Sequence, residues 1–246
     1  MIYMTLPPKG ETLKTMWYLI VTYFKTFLNG LSNTLLLAIV GTVGGFVLSF
    51  IFLYLKTLKT DNKRDNNLVK MLKKLGNMFA SIYITVIRGT PMIVQALIVY
   101  YGLLPYIHWS PLTAGLIIIT FNTAAYIAEI LRSGINGIDV GQNEAARSLG
   151  FSNVQSKLFI VYPQAIKNSL PAIGNEFIVN LKDSSVLFAI GIMDLYNAGR
   201  GASSANYRTV ESFLVVAVIY LILTVVTSRL ISLLEKRRNK GGLESA

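Results

Sequence analysis

A chain of 246 residues that is 53% hydrophobic and only 14% charged, with a mean hydropathy of +0.53, is too apolar for an ordinary soluble domain, and a lipid bilayer is its simplest solvent. The absence of cysteine excludes a disulfide framework and thiolate metal sites, and the single histidine, His108 beside Trp109, reads as an interfacial ring rather than a ligand, so no metal site is expected. The formal charge of +11 would suit nucleic acid, but the lysines flank apolar stretches, which points to an anionic membrane surface as partner and not to nucleic acid.

In chain order, Met1 to Glu11 lacks the basic start and apolar run of a cleavable signal and carries Pro7-Pro8. Thr12 to Leu28 is interrupted by Lys14 and Lys25. It reads as an interfacial helix on the outer side, with Trp17, Tyr18 and Tyr23 at headgroup depth; a sixth spanning helix is the alternative. Leu31 to Leu55 is the first span, with Gly41, Gly44 and Gly45 permitting close helix approach. Lys56 to Lys74 is a basic linker. The second span, about Met78 to Leu104, holds Arg88 and Pro91. Pro105 to Pro111 is a short turn, and Leu112 to Leu131 is span three. A long polar loop follows, then span four at about Leu170 to Met193. Asp194 to Thr209 is a loop rich in Gly, Ser and Asn, and span five is Ser212 to Leu234.

The expected fold is therefore all-α, a polytopic membrane protein with about five transmembrane helices. Its organisation is an outer or interfacial segment 1–28, one membrane domain 29–235 and a basic tail 236–246. Fourteen Lys and Arg fall in the segments assigned inside and five in those assigned outside, which puts the N-terminus outside, the C-terminus in the cytoplasm and the long loop in the cytoplasm.

That loop holds the most informative stretch, Glu144 to Pro163. Glu144-Ala145-Ala146-Arg147-Ser148-Leu149 are good helix formers, and Gly150 suits a left-handed stop. Ser152 or Asn153 can cap a second short helix, which Pro163 closes or kinks. The expected product is helix, glycine turn, helix, with an apolar side of Ala145, Leu149, Phe151, Leu158 and Phe159.

Within the spans, ionisable groups cost roughly 2.5–3.5 kcal/mol each and need partners or water. Three polar stripes recur at helical spacing: Arg88 and Gln95; Asn122, Tyr126, Glu129 and Ser133; Glu176, Asn180 and Asp183, with Lys182 about 100° away. Three helices with one polar face each can surround an aqueous path.

The Glu144-Ala145-Ala146 … Gly150 … Ile160-Val161-Tyr162-Pro163 pattern resembles the EAA loop of ATP-binding-cassette (ABC) transporter permeases of the type I importer fold, spanning 139–170 here; Tyr162 stands where that family has leucine. Arg88-Gly89-Thr90-Pro91, Gln95, Tyr100-Tyr101, Ala125-Tyr126-Ile127-Ala128-Glu129, Gly141-Gln142, and Gly174-Asn175-Glu176-Phe177 through Lys182-Asp183-Ser184-Ser185 resemble the polar amino acid permeases, over roughly residues 28–235.

The resemblance implies a prokaryotic cell-membrane permease subunit for a polar amino acid. It implies a cytoplasmic ATPase dimer that carries ATP and Mg, a second permease copy or paralogue, and an external amino-acid-binding protein. The ATPase would seat the EAA helix: Ala145 and Ala146 allowing close approach, Gly150 setting the turn, Glu144 and Arg147 at the rim, Pro163 ending the motif. The substrate's carboxylate and ammonium would require a cation and an anion. Lys182 and Asp183 are the leading pair, with Gln95, Asn122, Thr123 and Tyr126 adding hydrogen bonds and Glu176, Asn180, Arg88 and Glu129 along the path. The other reading of Lys182, Asp183, Arg88 and Glu129 is internal ion pairing or a gate, since Glu129 and Arg132 can pair on their own helix.

No phosphate-binding loop, HExxH or nucleophile elbow occurs, so the chain is expected to be no enzyme and to hold no cofactor itself. An ion-gradient-driven transporter and a non-transporting scaffold are the alternatives; the missing inverted repeat and effector domain speak against them.

Overall fold

The computed structural model describes residues 5–61 and 65–243, with side chains to Lys236. Lys63 and Arg64 of the basic linker, the first four residues, and the last three of the tail lie outside the described residues.

The described chain is helical. In order, the elements are α1 (Thr12–Thr22), α2 (Phe24–Thr57), α3 (Asn67–Gly89), α4 (Met92–Leu103), α5 (Pro111–Asn136), α6 (Val140–Ser148), α7 (Asn153–Ser156), α8 (Tyr162–Asp183), α9 (Leu195–Asn206) and α10 (Thr209–Leu243). A π-helical turn, Lys157–Val161, precedes α8, and a 3-10 segment, Ser184–Ile190, follows it.

Among the described residues α2, α5 and α10 (Thr209–Lys236) are each long and apolar enough to cross a membrane, and α3 with α4 make a fourth if counted as one bent span. The bend follows from Pro91: Thr90 before it is extended (φ −126°, ψ 148°), as a residue preceding proline must be. Arg88 and Gln95 are therefore not one face of a continuous helix, which corrects the seven-residue stripe. The stretch expected as span four is α8 plus its 3-10 extension, and α8 carries Asn175, Glu176, Asn180, Lys182 and Asp183, too polar to qualify on composition. The N-terminal boundary also differs. Tyr23 breaks the helix, so the segment expected at the interface is divided: α1 ends at Thr22 and residues from Phe24 belong to the long α2.

The chain divides into two compact units. One comprises the segments up to Val40, Met92–Ile119 and from Phe177 onward; the other comprises Gly41–Pro91 and Thr120–Glu176. Thus α2, α5 and α8 each contribute part of their length to both.

In the first unit Leu37, Ala96, Tyr100, Ile118, Leu187 and Ile190 form one core, and Leu19, Phe27, Leu195, Ala202 and Val216 a second. Ser110 caps α5, its Oγ accepting from Thr113 N at 3.1 Å, with Pro111 at the first helical position. The turn before α9 is held by α2: Asn33 Nδ2 donates to Met193 O (2.8 Å) and Leu195 N donates to Thr34 Oγ1 (3.1 Å). Asp194 is fully buried and caps α9 through Asn197 N at 2.9 Å. Burial pushes its carboxyl up to about 6, against the lowering effect of the backbone donors.

In the second unit Phe52, Ala80, Ile84, Ala124 and Ala128 form one core and Ile127, Leu131 and Ile173 another. Phe52 of α2 stacks on Tyr83 of α3 with ring centroids 3.9 Å apart, and Tyr83 Oη donates to Phe121 O. Helix approach here depends on missing Cβ atoms: one built on Gly45 would lie 2.9 Å from Thr123 Cβ and 3.1 Å from Ala124 N. In the basic linker Lys73 Nζ bonds both oxygens of Asp65 (2.8 and 2.7 Å) and holds that carboxyl below its usual range.

Gly45→Val should lower the thermal stability of the purified protein by about 1–3 kcal/mol through overpacking. Gly102→Ala, with nothing within 4 Å of its added Cβ, should leave it unchanged or slightly raised. A raised Asp194 pKa means the folded state binds the proton more tightly than the unfolded one. Stability is then lost as pH rises from about 4 toward 6. Asp194→Asn, which keeps a capping side chain, should gain in thermal midpoint over wild type at pH 7.5, and the gain should vanish near pH 4.

Candidate functional site

The EAA segment is built by local hydrogen bonding that its sequence specifies residue by residue. Asp139 caps α6, accepting from Gly141 N at 2.6 Å. At the other end Gly150 N donates to Arg147 O (3.0 Å) and Phe151 N to Ala146 O (3.2 Å), the two bonds of a Schellman stop, with Gly150 at φ +90°. Ser152 and Gln155 form a reciprocal capping box for α7, Gln155 N to Ser152 Oγ at 3.2 Å and Ser152 N to Gln155 Oε1 at 2.9 Å. Ser156 Oγ donates to Asn143 Oδ1 (2.6 Å), fastening α7 to α6, and Gln164 Nε2 donates to Gln142 Oε1 (3.2 Å), fastening α8 to α6.

Two features refine the sequence reading. Of the two outcomes expected at Pro163, closing or kinking, the helix is not closed: Pro163 lies in the first turn of α8, directly after a π turn where the ladder changes register. Proline has no N–H to continue the i→i−4 ladder, and before it Tyr162 N bonds Lys157 O in the wider register. The two alanines also differ: Ala146 is buried at 5%, whereas Ala145 is exposed with the rest of the expected apolar side, Leu149 (at 80%), Leu158 and Phe159, Phe151 being part-buried. Glu144 and Arg147 are exposed beside them. Of the two alanines, then, one packs inward and the other faces out.

The second unit also contains a cavity of about 430 Å³, whose polar lining includes Arg88, Tyr126, Glu129, Ser133, Asn168 and Glu176. The Arg88 guanidinium lies 5.5 Å from the Tyr126 ring centroid, within cation–π range. Glu129 is held on two sides: Lys56 Nζ donates to Oε2 at 3.1 Å and Arg132 Nε to Oε1 at 3.0 Å. Glu129 is thus an ion-paired group, as its spacing from Arg132 allowed. Lys56 is the partner that sequence reasoning missed, because it sits 73 residues away in the linker's first position. Asn168 was missed as well, lying just before the stretch read as span four.

Asn122 and Thr123 are buried and do not line that cavity; Thr123 packs on Gly45. In the first unit, Gln95 is partly buried on α4, and near the end of α8 Asn180 is buried, Lys182 exposed and Asp183 partly buried. No salt bridge joins Lys182 and Asp183. Among the described residues no group of three or more His, Asp or Glu could hold a metal ion.

A helical chain with several helices long and apolar enough to cross a membrane, and a capped helix pair fastened to α8, has the build of a multi-pass membrane protein. Residues 68–240 match the family described as binding-protein-dependent transport system inner membrane component. The chain is 35% identical over 233 residues to a probable amino-acid permease, YxeN, of Bacillus subtilis (strain 168), covering 91% of this chain and 96% of that one. It is 32% identical over 224 residues to the glutamine transport system permease GlnP of Escherichia coli (strain K12), covering 90% and 96%. Among solved structures it is similar to the crystal structure of an amino acid ABC transporter with histidines, with a TM-score of 0.80 and 38% identity, covering 94% of this chain and all of that one.

The chain belongs to the binding-protein-dependent transport system inner membrane component family: it is a permease subunit of an ABC transporter, a multi-pass membrane protein of a bacterial family. Membership implies an ATPase and a binding protein as partners, and the subunit is not itself an enzyme.

Removing the Glu129 charge should expose the cost of its two cations. Glu129→Gln is expected to destabilise the protein by about 1.5–3 kcal/mol, the range for hydrogen bonds to charged groups. A double-mutant cycle with Lys56→Met should return a favourable coupling energy; additivity of the two single losses would show that the pair does not interact.

Proposed function

We propose that this permease imports a polar amino acid, with the EAA segment docking a cytoplasmic ATPase dimer and the charged cavity of the second unit forming part of the substrate path. On this reading the N-terminus is outside and the C-terminus inside, a second copy or a paralogue completes the pathway, and the binding protein delivers ligand to the opposite end. The amino acid transport stated for YxeN, GlnP and the solved transporter supports the cargo class.

The observation that carries the reading is one cavity that presents both charges an amino acid needs. Arg88 can meet a carboxylate and Glu176 an ammonium, with Tyr126, Ser133 and Asn168 able to replace lost water. This shifts the leading pair from Lys182 and Asp183 to Arg88 and Glu176. Glu129, already neutralised by Lys56 and Arg132, serves as a strut of the cavity wall. Gln95, Asn180, Lys182 and Asp183 then belong to another part of the route, and Asn122 and Thr123 support the helix packing. At the docking surface, Ala145 with Leu149 and Glu144 and Arg147 at the rim meet the ATPase, Gly150 sets the bend, and Ala146 and Pro163 hold the segment to its own chain.

In the assembled transporter reconstituted with its binding protein, Ala145→Asp should leave the subunit in the membrane. It should cut substrate-stimulated ATP hydrolysis about tenfold, equivalent to roughly 1.4 kcal/mol of docking. Ala146→Asp should instead lower the yield of folded subunit. Glu176→Gln should raise the amino acid concentration for half-maximal stimulation by about tenfold, in line with a lost charged hydrogen bond. An unchanged concentration with Glu176→Gln, and a raised one with Asp183→Asn, would return the site to the Lys182–Asp183 pair.

A further inference from the structure

Two cavities in the second unit lie side by side near the ends of α2 and α5, and neither is lined by Arg88 or Glu176, the pair assigned above to the substrate path. The first, of about 480 Å³, is lined by four cations, Lys56, Lys59, Arg132 and Lys157, with Asp139 as its one carboxylate. Asp139 is engaged in capping α6, and Lys56 and Arg132 share Glu129. Lys59 and Lys157 are exposed and have no ion-pair partner among the described residues. The second cavity, of about 400 Å³, is an apolar groove formed by Phe50, Leu53 and Tyr54 of α2, Leu131 of α5, and Leu158 and Ile166 of the EAA segment and α8. Thr57, Ile135 and Tyr162 line both, so the two are continuous.

The depths match one kind of molecule. The apolar helices α2 and α5 end at Thr57 and Asn136, beside the cationic cavity, so a bilayer that they cross would meet that cavity on its headgroup side. Phe50 to Tyr54 sit three to seven residues further along α2, roughly 5–10 Å deeper at about 1.5 Å per residue. A charged, water-accessible mouth followed at that depth by an apolar groove fits a phosphodiester headgroup joined to an acyl chain.

We propose that this composite site binds an anionic glycerophospholipid, the phosphate between Lys59 and Lys157 and one acyl chain along the groove. The bound lipid ties Lys157, Leu158 and Tyr162 of the EAA segment to the ends of α2 and α5, so the bilayer itself becomes a part of the coupling element.

The test is lipid retention by the whole transporter, extracted in mild detergent and exchanged into nanodiscs of phosphatidylcholine doped with phosphatidylglycerol, then read by native mass spectrometry. Wild type should retain phosphatidylglycerol over phosphatidylcholine. Lys59→Gln with Lys157→Gln should lower that preference about tenfold or more, as expected for two basic residues near an anionic surface. Leu53→Trp, which fills the groove and keeps every lysine, should weaken retention of both lipids, while Lys9→Gln with Lys14→Gln should change nothing. Retention unaffected by both the lysine pair and Leu53→Trp would overturn the site. So would displacement of the lipid by millimolar glycerol 3-phosphate equally in wild type and Leu53→Trp, since the site would then bind a free phosphate ester alone.

Discussion

In a bilayer a polar group has no water to fall back on, so each one must find its partner within the chain or face a water-filled cavity. Glu129 shows how far the second unit is arranged around that need. Its carboxylate receives Lys56 from α2 and Arg132 from its own helix, and the Lys56 bond ties the end of α2 to α5. The close approach at Gly45 and Thr123 joins the same two helices. The cavity that Glu129 lines has a wall whose charge is already balanced there, and Arg88 and Glu176 line it as well.

The same accounting governs the EAA segment, with water present. A short helix pair outside the spans has little core of its own, and its ends would fray without caps. Here almost every terminus is tied: Asp139 at the start of α6, the Gly150 stop at its end, the Ser152–Gln155 box on α7. Ser156 and Gln164 add cross-links to Asn143 and Gln142. The result is a stiff element that can leave Leu149 and Val154 exposed without collapsing onto them. For the docking role proposed above stiffness matters, because a compliant element would absorb a partner's motion. The π turn Lys157–Val161, which joins this element to α8, is the place where the backbone ladder changes register.

Local signals were read correctly where the physics is local. The glycine stop and the serine cap follow from backbone sterics and from a side chain reaching three residues on, and both are present as the sequence spelled them. Of the Asn122, Tyr126, Glu129 and Ser133 stripe, three members line one cavity, whereas Asn122 is buried away from it. The Arg88–Gln95 stripe failed for a stated local reason, since Pro91 forces Thr90 out of the helix and periodicity cannot be carried across the break. At Pro163 the helix changes register but is not closed. Proline is as well tolerated in a first turn as after a last one, and the residues around it do not say which applies.

What the sequence determined by itself is the class of protein: apolar spans of membrane length, the charged loops between them, and an EAA helix pair whose caps and turn lie within a few residues of one another. What only the tertiary structure decided is which groups meet. Lys56 finds Glu129, Ala146 turns inward while Ala145 turns out, and Arg88 shares a cavity with Glu176 rather than a stripe with Gln95. The reason is that local structure is set by bonds over three to five residues, which a chain carries in its own order. Pairings across tens of residues depend instead on how helices rotate and cross, and that is fixed only when glycines and threonines on different helices come into contact.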